Sequence, residues 1–404
     1  MRYLTLSLFF VLTINCTSET SQIQKEIVSP SGENASLPRL FTDNTGTVFM
    51  SWVESKEKQT ALFYSSLING SWTEPKMISE SDSWFVNWAD YPSVIAQNGE
   101  PLAAHWLRKV EGGTYAYNVE IASASNNWQR TTVPHNDNTA TEHGFVSMVP
   151  ASDSTFMSVW LDGRNTGGGG SHDNHNSESS LANAMTLRSA ILDSKLNIIS
   201  ESEIDNSVCD CCGTSTARLK DGFITAYRDR TEDEIRDIYV SKFKNGKWSN
   251  PIAVNNDNWE IAACPVNGPS IISNDDVVAV AWYTGADEIQ KVKIALSNDQ
   301  GDSFSEPVIV DNGNPLGRVD IDFMNNGNII VSWLERNMED RSKAYFMAKT
   351  FSKEGEFLKE IKLADMSSSR RSGFPQISSY NGKIIAAWTD LNETTYGIKT
   401  AILE

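Results

Sequence analysis

One phrase recurs along this chain, an alternating apolar run that ends in tryptophan or tyrosine. It reads Phe49-Met50-Ser51-Trp52, Ala103-Ala104-His105-Trp106, Met157-Ser158-Val159-Trp160, Thr225-Ala226-Tyr227, Ala279-Val280-Ala281-Trp282, Ile330-Val331-Ser332-Trp333 and Ile385-Ala386-Ala387-Trp388. The seven copies are spaced by roughly fifty to sixty-five residues, the period of a four-stranded propeller blade or slightly more. Before each copy lies a strand such as Pro92-Ser93-Val94-Ile95, turned by a polar pair such as Asn98-Gly99. After it comes an alternating strand such as Lys291 to Leu296, then a hairpin and a last strand such as Trp72 to Ile78. Two hairpins carry Asn69-Gly70 and Asn245-Gly246, the pair that best supplies two positive φ angles in a type I′ turn. Helical periodicity is absent.

These units predict an all-β fold, a single seven-bladed β-propeller of four-stranded antiparallel blades over residues 22–404. The last unit has only three strands, Phe374 to Ile377, Lys383 to Trp388 and Ile398 to Leu403, while Gln24 to Val28 is a spare strand at the other end. Pairing the spare strand with the last blade closes the ring and leaves no open edge. The glycine run Gly167 to Gly170, continuing through His172, His175 and Glu178, falls between the second and third strands of the third blade. It reads as a loop over one face.

Residues 1–16 read as an export signal, with an apolar segment from Leu4 to Ile14 too short to remain as a membrane span. Cys16 stands where a bacterial lipoprotein carries its lipid, the alternative being a plain secretory signal with an incidental cysteine. The expectation is an exported monomer, periplasmic or held at the outer membrane or cell surface by a lipid anchor. A net charge of -18 with no basic run to offset it excludes nucleic acid as a partner and adhesion to anionic lipid.

Ser297-Asn298-Asp299-Gln300-Gly301-Asp302-Ser303-Phe304 fits the Asp-box pattern Ser-x-Asp-x-Gly-x-x-aromatic. Its serine and aspartate bond turn amides, its glycine takes positive φ, and its aromatic packs back on the blade. With several degenerate boxes, the mature chain resembles the sialidase-like Asp-box (BNR) propellers, and more narrowly the exported bacterial proteins often labelled exo-α-sialidase. The resemblance implies glycoside hydrolysis of an anionic sugar, and a six-bladed ring as the alternative architecture. True sialidases carry an Arg-Ile-Pro motif that opens an arginine triad; the corresponding stretch here is Pro38-Arg39-Leu40. Arg318 is then a candidate for the triad, and Tyr227 or Tyr396 for the nucleophile, without matching motifs around them.

In a propeller, the loops leading into the innermost strands and those joining second to third strands gather on one face around the axis. The first set contains Asp90-Tyr91, Glu142-His143, Cys209 to Thr214, Cys264 to Asn267, Arg318 with Asp320, and Arg371. The second contains Asp162, Arg164, His172, His175, Arg228, Asp229, Arg230 and, further out, Arg236. One functional reading uses Arg164, Arg228, Arg230 and Arg318 to bind an anionic glycan or small molecule. Asp162, Asp229 or Asp320 would then transfer protons, with Tyr227 as nucleophile. Ion pairs internal to the loops are the structural alternative.

The other reading rests on Val208-Cys209-Asp210-Cys211-Cys212-Gly213-Thr214. Cys264 occupies the equivalent place on the next blade and His143 that on the blade before, so four sulfurs and one imidazole are expected near one another. Such donors suit a soft or borderline ion, copper as Cu(I) or zinc as Zn(II). Two alternatives stay open: a structural disulfide from Cys264 to one of the three, neighbouring cysteines being hard to join, and a redox or nucleophilic thiol.

Overall fold

The computed structural model describes residues 25–167, 181–391 and 395–403. The export signal, Cys16, and the loop histidines His172 and His175 lie outside them. Seven antiparallel sheets form a seven-bladed propeller. The innermost strands are Ala35–Thr42, Ser93–Gln97, His143–Pro150, Ser215–Leu219, Ser270–Ser273, Pro315–Phe323 and Gln376–Tyr380. In blades one and four the outer strand is broken into two short pieces that pair the same third strand. Lys25–Ile27 pairs with Tyr396–Leu403 in the last blade, Lys25 opposite Ile402 and Ile27 opposite Thr400. The ring is thus closed by its N-terminal strand, and the six-bladed alternative does not apply.

Each second strand carries one copy of the recurring phrase, and its aromatic residue is buried between blades. Trp52, Trp160 and Trp333 are fully buried, and each indole N–H donates to the carboxylate two residues later: Glu54 at 2.8 Å, Asp162 at 2.9 Å and Glu335 at 2.6 Å. Trp106 uses Glu120, Trp282 uses Asp257, and Tyr227 donates to Asp205 at 2.6 Å. A buried N–H or O–H without an acceptor would be costly. The acidic partners are therefore part of the blade, which already assigns one duty to Asp162.

Neighbouring blades are joined near the axis by a second recurring device. Leu37, Phe145 and Arg318 have φ of 58°, 53° and 56°, each at a bulge in an innermost strand. The bulge turns the residue's N–H towards the preceding blade, where Thr389 Oγ1, Asp90 Oδ2 and Asn267 Oδ1 accept it at 3.0, 2.9 and 2.8 Å. Gly144 permits one of these approaches, since a Cβ there would stand 2.2 Å from Asp90 Oδ2. The Asn69-Gly70 and Asn245-Gly246 turns have both residues at positive φ, as type I′ requires. In the Asp-box, Ser297 Oγ accepts from Gly301 N at 2.7 Å and Asp299 accepts from Ser303 N at 2.9 Å.

Candidate functional site

The cysteine motif begins where the outer strand of blade three, Ile198–Val208, crosses to blade four. Val208 bridges to Asp229, and Cys209 N donates to Arg228 O at 3.0 Å, so the chain enters blade four already paired to it. At the far end Thr214 Oγ1 donates back to Phe145 O of blade three at 2.8 Å. Blade five presses on the same turn: Gly268 lies so close that a Cβ would stand 2.1 Å from Gly213 O. Three blades therefore clamp the loop.

Inside it, Cys209 and Cys212 are 0% and 1% exposed and Cys211 is buried. Cys209 Sγ lies 3.3 Å from Cys212 Sγ, and the three sulfurs lie within 4.8 Å of one another. Cys264 is half-buried, hydrogen-bonds to Cys211 and packs against the same cluster, which also contains Phe145, Met185, Leu187 and Tyr227. Among the described residues these four cysteines are free, with no disulfide between them.

Arg236, 0% exposed in the loop between the second and third strands of blade four, points Nη1 at Cys209 Sγ from 3.4 Å. Its other side pairs with Glu234 at 2.7 Å. Burial opposes a charge on Cys209. Hydrogen bonds from Cys211 and Cys212, with the guanidinium of Arg236 and the field of Arg228, outweigh it and hold that thiol well below its ordinary value. Cys211 is held well above because it donates to Cys209, and burial followed by the bond to Cys209 pushes Cys212 up to about 12. Of the three sulfurs, Cys209 is thus the one whose charged form its surroundings favour.

His143 does not join the sulfurs. It starts the innermost strand of blade three, but its ring faces blade two. Nδ1 lies 3.1 Å from Tyr117 O, and Nε2 lies 3.3 Å from Asp137 and 3.7 Å from Asp162.

The four arginines expected to grip an anion are all engaged by the protein. Arg228, 1% exposed, donates to the carbonyls of Arg236, Asn267 and Tyr283 at 2.6–2.8 Å. Arg318 donates to Ser372 Oγ at 2.8 Å and Gly373 O at 3.0 Å, with Trp88 4.9 Å beneath its guanidinium. Arg164 pairs with Asp162 at 2.7 Å, and Arg230 with Glu234 at 2.6 Å and Asp210 at 3.4 Å.

Among the carboxylates, Asp320 bonds Ile377 N at 2.9 Å and Ser270 Oγ at 3.1 Å, joining blades five, six and seven. The Tyr227 hydroxyl is buried with Asp205, and Tyr396 lies under Arg371 at 5.4 Å beside a surface groove. Burial raises Asp320 above the ordinary carboxylate value, and Asp229 shifts in the same direction. Burial and the neighbouring Asp205 raise Asp229 to about 7.

Because the ordinary carboxyl value is 3.8, folding favours uncharged Asp229; its contribution to stability is present below about pH 4 and lost as pH rises through about 7. Asp229→Asn is therefore expected to be more stable than the parent at pH 8 by about 2–4 kcal/mol, the gap closing at pH 4. Urea unfolding at the two pH values measures it, and a gap independent of pH contradicts the assignment.

The axis itself holds a small polar cavity of about 90 Å³, whose walls include Arg39, Asp90, His105, Thr214, Ser270 and Gln376. Arg39 donates to Gln376 at 2.8 Å. Burial, then the charge of Arg39, lowers His105 to about 3, keeping it neutral. Gly213 and Thr214 reach this cavity. The sulfurs do not line it; they pack in the core between blades three and four.

Residues that sequence reasoning missed include Arg236 as the partner of Cys209, and His135 and Asp137 beside His143. Asp162, by contrast, carries a legible signal, the carboxylate two residues after a recurring tryptophan.

No family model matches the chain, and no curated protein matches it. Among solved structures, a protein of unknown function from Dyadobacter fermentans is similar over 95% of this chain and 98% of its own, at 11% identity and a TM-score of 0.49. The endosialidase of phage phi92 is similar over 94% of this chain and 68% of its own, at 8% identity and a TM-score of 0.49. The sialidase of Trypanosoma rangeli is similar over 95% of this chain and 59% of its own, at 8% identity and a TM-score of 0.42. These are likenesses at the level of the propeller, and no residue's role is carried over from them.

Proposed function

We propose that this protein binds a soft metal ion, holding one Cu(I) on the sulfurs of Cys209, Cys211 and Cys212 in an exported, lipid-anchored propeller. The observation that carries this reading is three buried sulfurs within 4.8 Å of one another, one of them faced by a buried guanidinium. Thiolates select Cu(I), Zn(II) or iron–sulfur clusters, and zinc in structural sites asks for four ligands in a tetrahedron. A three-sulfur set with Cys264 one bond outside it suits Cu(I) better. Three thiolates on a monovalent ion leave two negative charges, which Arg236 and Arg228 offset. The anionic-glycan reading has less support, because its arginines are spent on internal partners and the axial cavity, at about 90 Å³, is small for a sugar ring.

Chelator-competed titration of the reduced protein with Cu(I) tests this. One ion per chain is expected, with protons released as Cys211 and Cys212 become ligands. Arg236→Gln removes the positive charge that favours the Cys209 thiolate, so affinity at pH 7 should fall about 10–100-fold, the usual cost of losing a partner that orients a ligand. Stoichiometric binding indifferent to Arg236 would remove the guanidinium from the account; no binding would remove the function.

A further inference from the structure

A second group of donors lies between blades two and three, apart from the sulfurs. His135 and Asp137 come from the connection between the last strand of blade two and the first of blade three, and His143 opens that first strand. One ring nitrogen of each histidine and one oxygen of Asp137 lie within 4.8 Å of one another. The imidazoles stack 3.8 Å apart, and their side chains are 3% and 0% exposed.

The hydrogen-bond pattern is that of ligands oriented by a second layer. His143 Nδ1 faces the carbonyls of Tyr117 at 3.1 Å and Thr141 at 3.2 Å, which can only accept. Nδ1 therefore carries a hydrogen, and Nε2 is the nitrogen turned into the cluster. Nε2 lies 3.3 Å from Asp137 Oδ2, yet it is buried with no hydrogen-bond partner. His135 contacts Asp137 Oδ1 through Nδ1 at 2.8 Å, and its Nε2 is likewise buried without a partner. His143 is held as metal-bound histidines are, one nitrogen turned to the site and the other donating to backbone carbonyls.

We propose that His135, Asp137 and His143 bind one borderline divalent cation of the Zn(II) class. Two imidazoles and one carboxylate are the donor set that zinc accepts with a position left over. Asp162 adds negative charge 3.7 Å from His143 Nε2 but is not counted as a ligand, because its oxygens are taken by Arg164 and Trp160. Arg164 Nη2 lies 3.9 Å from Asp137 Oδ1. The donors here are harder than the sulfurs and suit a harder ion than thiolates do. This inference does not depend on what the cysteines hold.

Titration of the reduced wild-type chain with Co(II), then Zn(II), tests it, because cobalt reports its ligands. The expected result is one Co(II) per chain with ligand-field bands, no thiolate charge-transfer band from this site, and displacement by an equivalent of Zn(II). His143→Gln and, separately, Asp137→Asn should each weaken binding at least about 100-fold while circular dichroism stays that of a folded propeller. His135→Gln serves where either of those fails to fold. A folded wild-type chain that takes up neither ion overturns the proposal. Binding that shows only the thiolate band, or that survives all the substitutions, overturns it equally.

Discussion

Replacing Cys209 by serine is expected to abolish Cu(I) binding, a loss well beyond the ~100-fold that accompanies removal of an outer partner. The reason is geometric and electrostatic together. Cys209 is the sulfur that Arg236 faces at 3.4 Å, the one 3.3 Å from Cys212, and the one whose charged form the surroundings favour. Serine keeps the volume but offers a hydroxyl that does not ionise near neutral pH and a hard oxygen that Cu(I) disfavours. The fold should tolerate the change, since the backbone bond from residue 209 to Arg228 O is kept. Cys264→Ser is the control. Because Cys264 stands outside the three-sulfur group, that variant should retain one Cu(I) per chain. Parallel titrations of the two variants measure the contrast, and equal losses would mean a four-sulfur site.

Gly268→Ala is expected to destabilise the protein by at least about 3 kcal/mol, near the upper range for overpacking in a dense interior. The new methyl group would meet backbone: Gly213 O at 2.1 Å, Gly213 C at 2.7 Å and Gly213 N at 2.8 Å. Backbone cannot rotate away as a side chain would, so the Cys209–Thr214 loop must shift or blade five must draw back. Either movement disturbs the sulfurs, and Cu(I) affinity should fall with stability. Gly213→Ala makes a fair comparison, because nothing lies within 4 Å of a Cβ there. Denaturant unfolding of both variants measures the difference; a Gly268→Ala protein as stable as its parent would mean that blades four and five do not clamp the motif.

The blades were legible because burial repeats. Trp52, Trp106, Trp160, Tyr227, Trp282, Trp333 and Trp388 recur at the blade period, so each copy could be read without its neighbours. The closing strand was legible from a count, three strands in the last unit and a spare one near residue 25. Cys264 could be brought to Cys209, Cys211 and Cys212 by the same logic, since equivalent positions on adjacent blades are neighbours in space.

That logic failed for His143 because height in the ring does not say which interface a side chain enters. Its ring turns to the interface of blades two and three, where Asp137 waits in a connection with no periodic signal, while the sulfurs enter the interface of blades three and four. The arginines were misleading for a related reason. Arg228 and Arg318 stand at positions that sequence order assigns to the axial face, yet the carbonyls of neighbouring blades claim their guanidinium groups. Nor does sequence separation disclose that Arg236 returns to Cys209, twenty-seven residues before it. The repeat thus specifies the scaffold, while the contacts between blades, which specify the chemistry, depend on side-chain directions that no repeat encodes.

X-ray absorption at the copper edge of Cu(I)-loaded wild-type protein tests the central claim most directly. The expected spectrum shows a first shell of three sulfurs and no nitrogen or oxygen, unchanged in Cys264→Ser. A shell containing histidine nitrogen, a shell of two sulfurs only, or a folded reduced protein that retains no copper would contradict it.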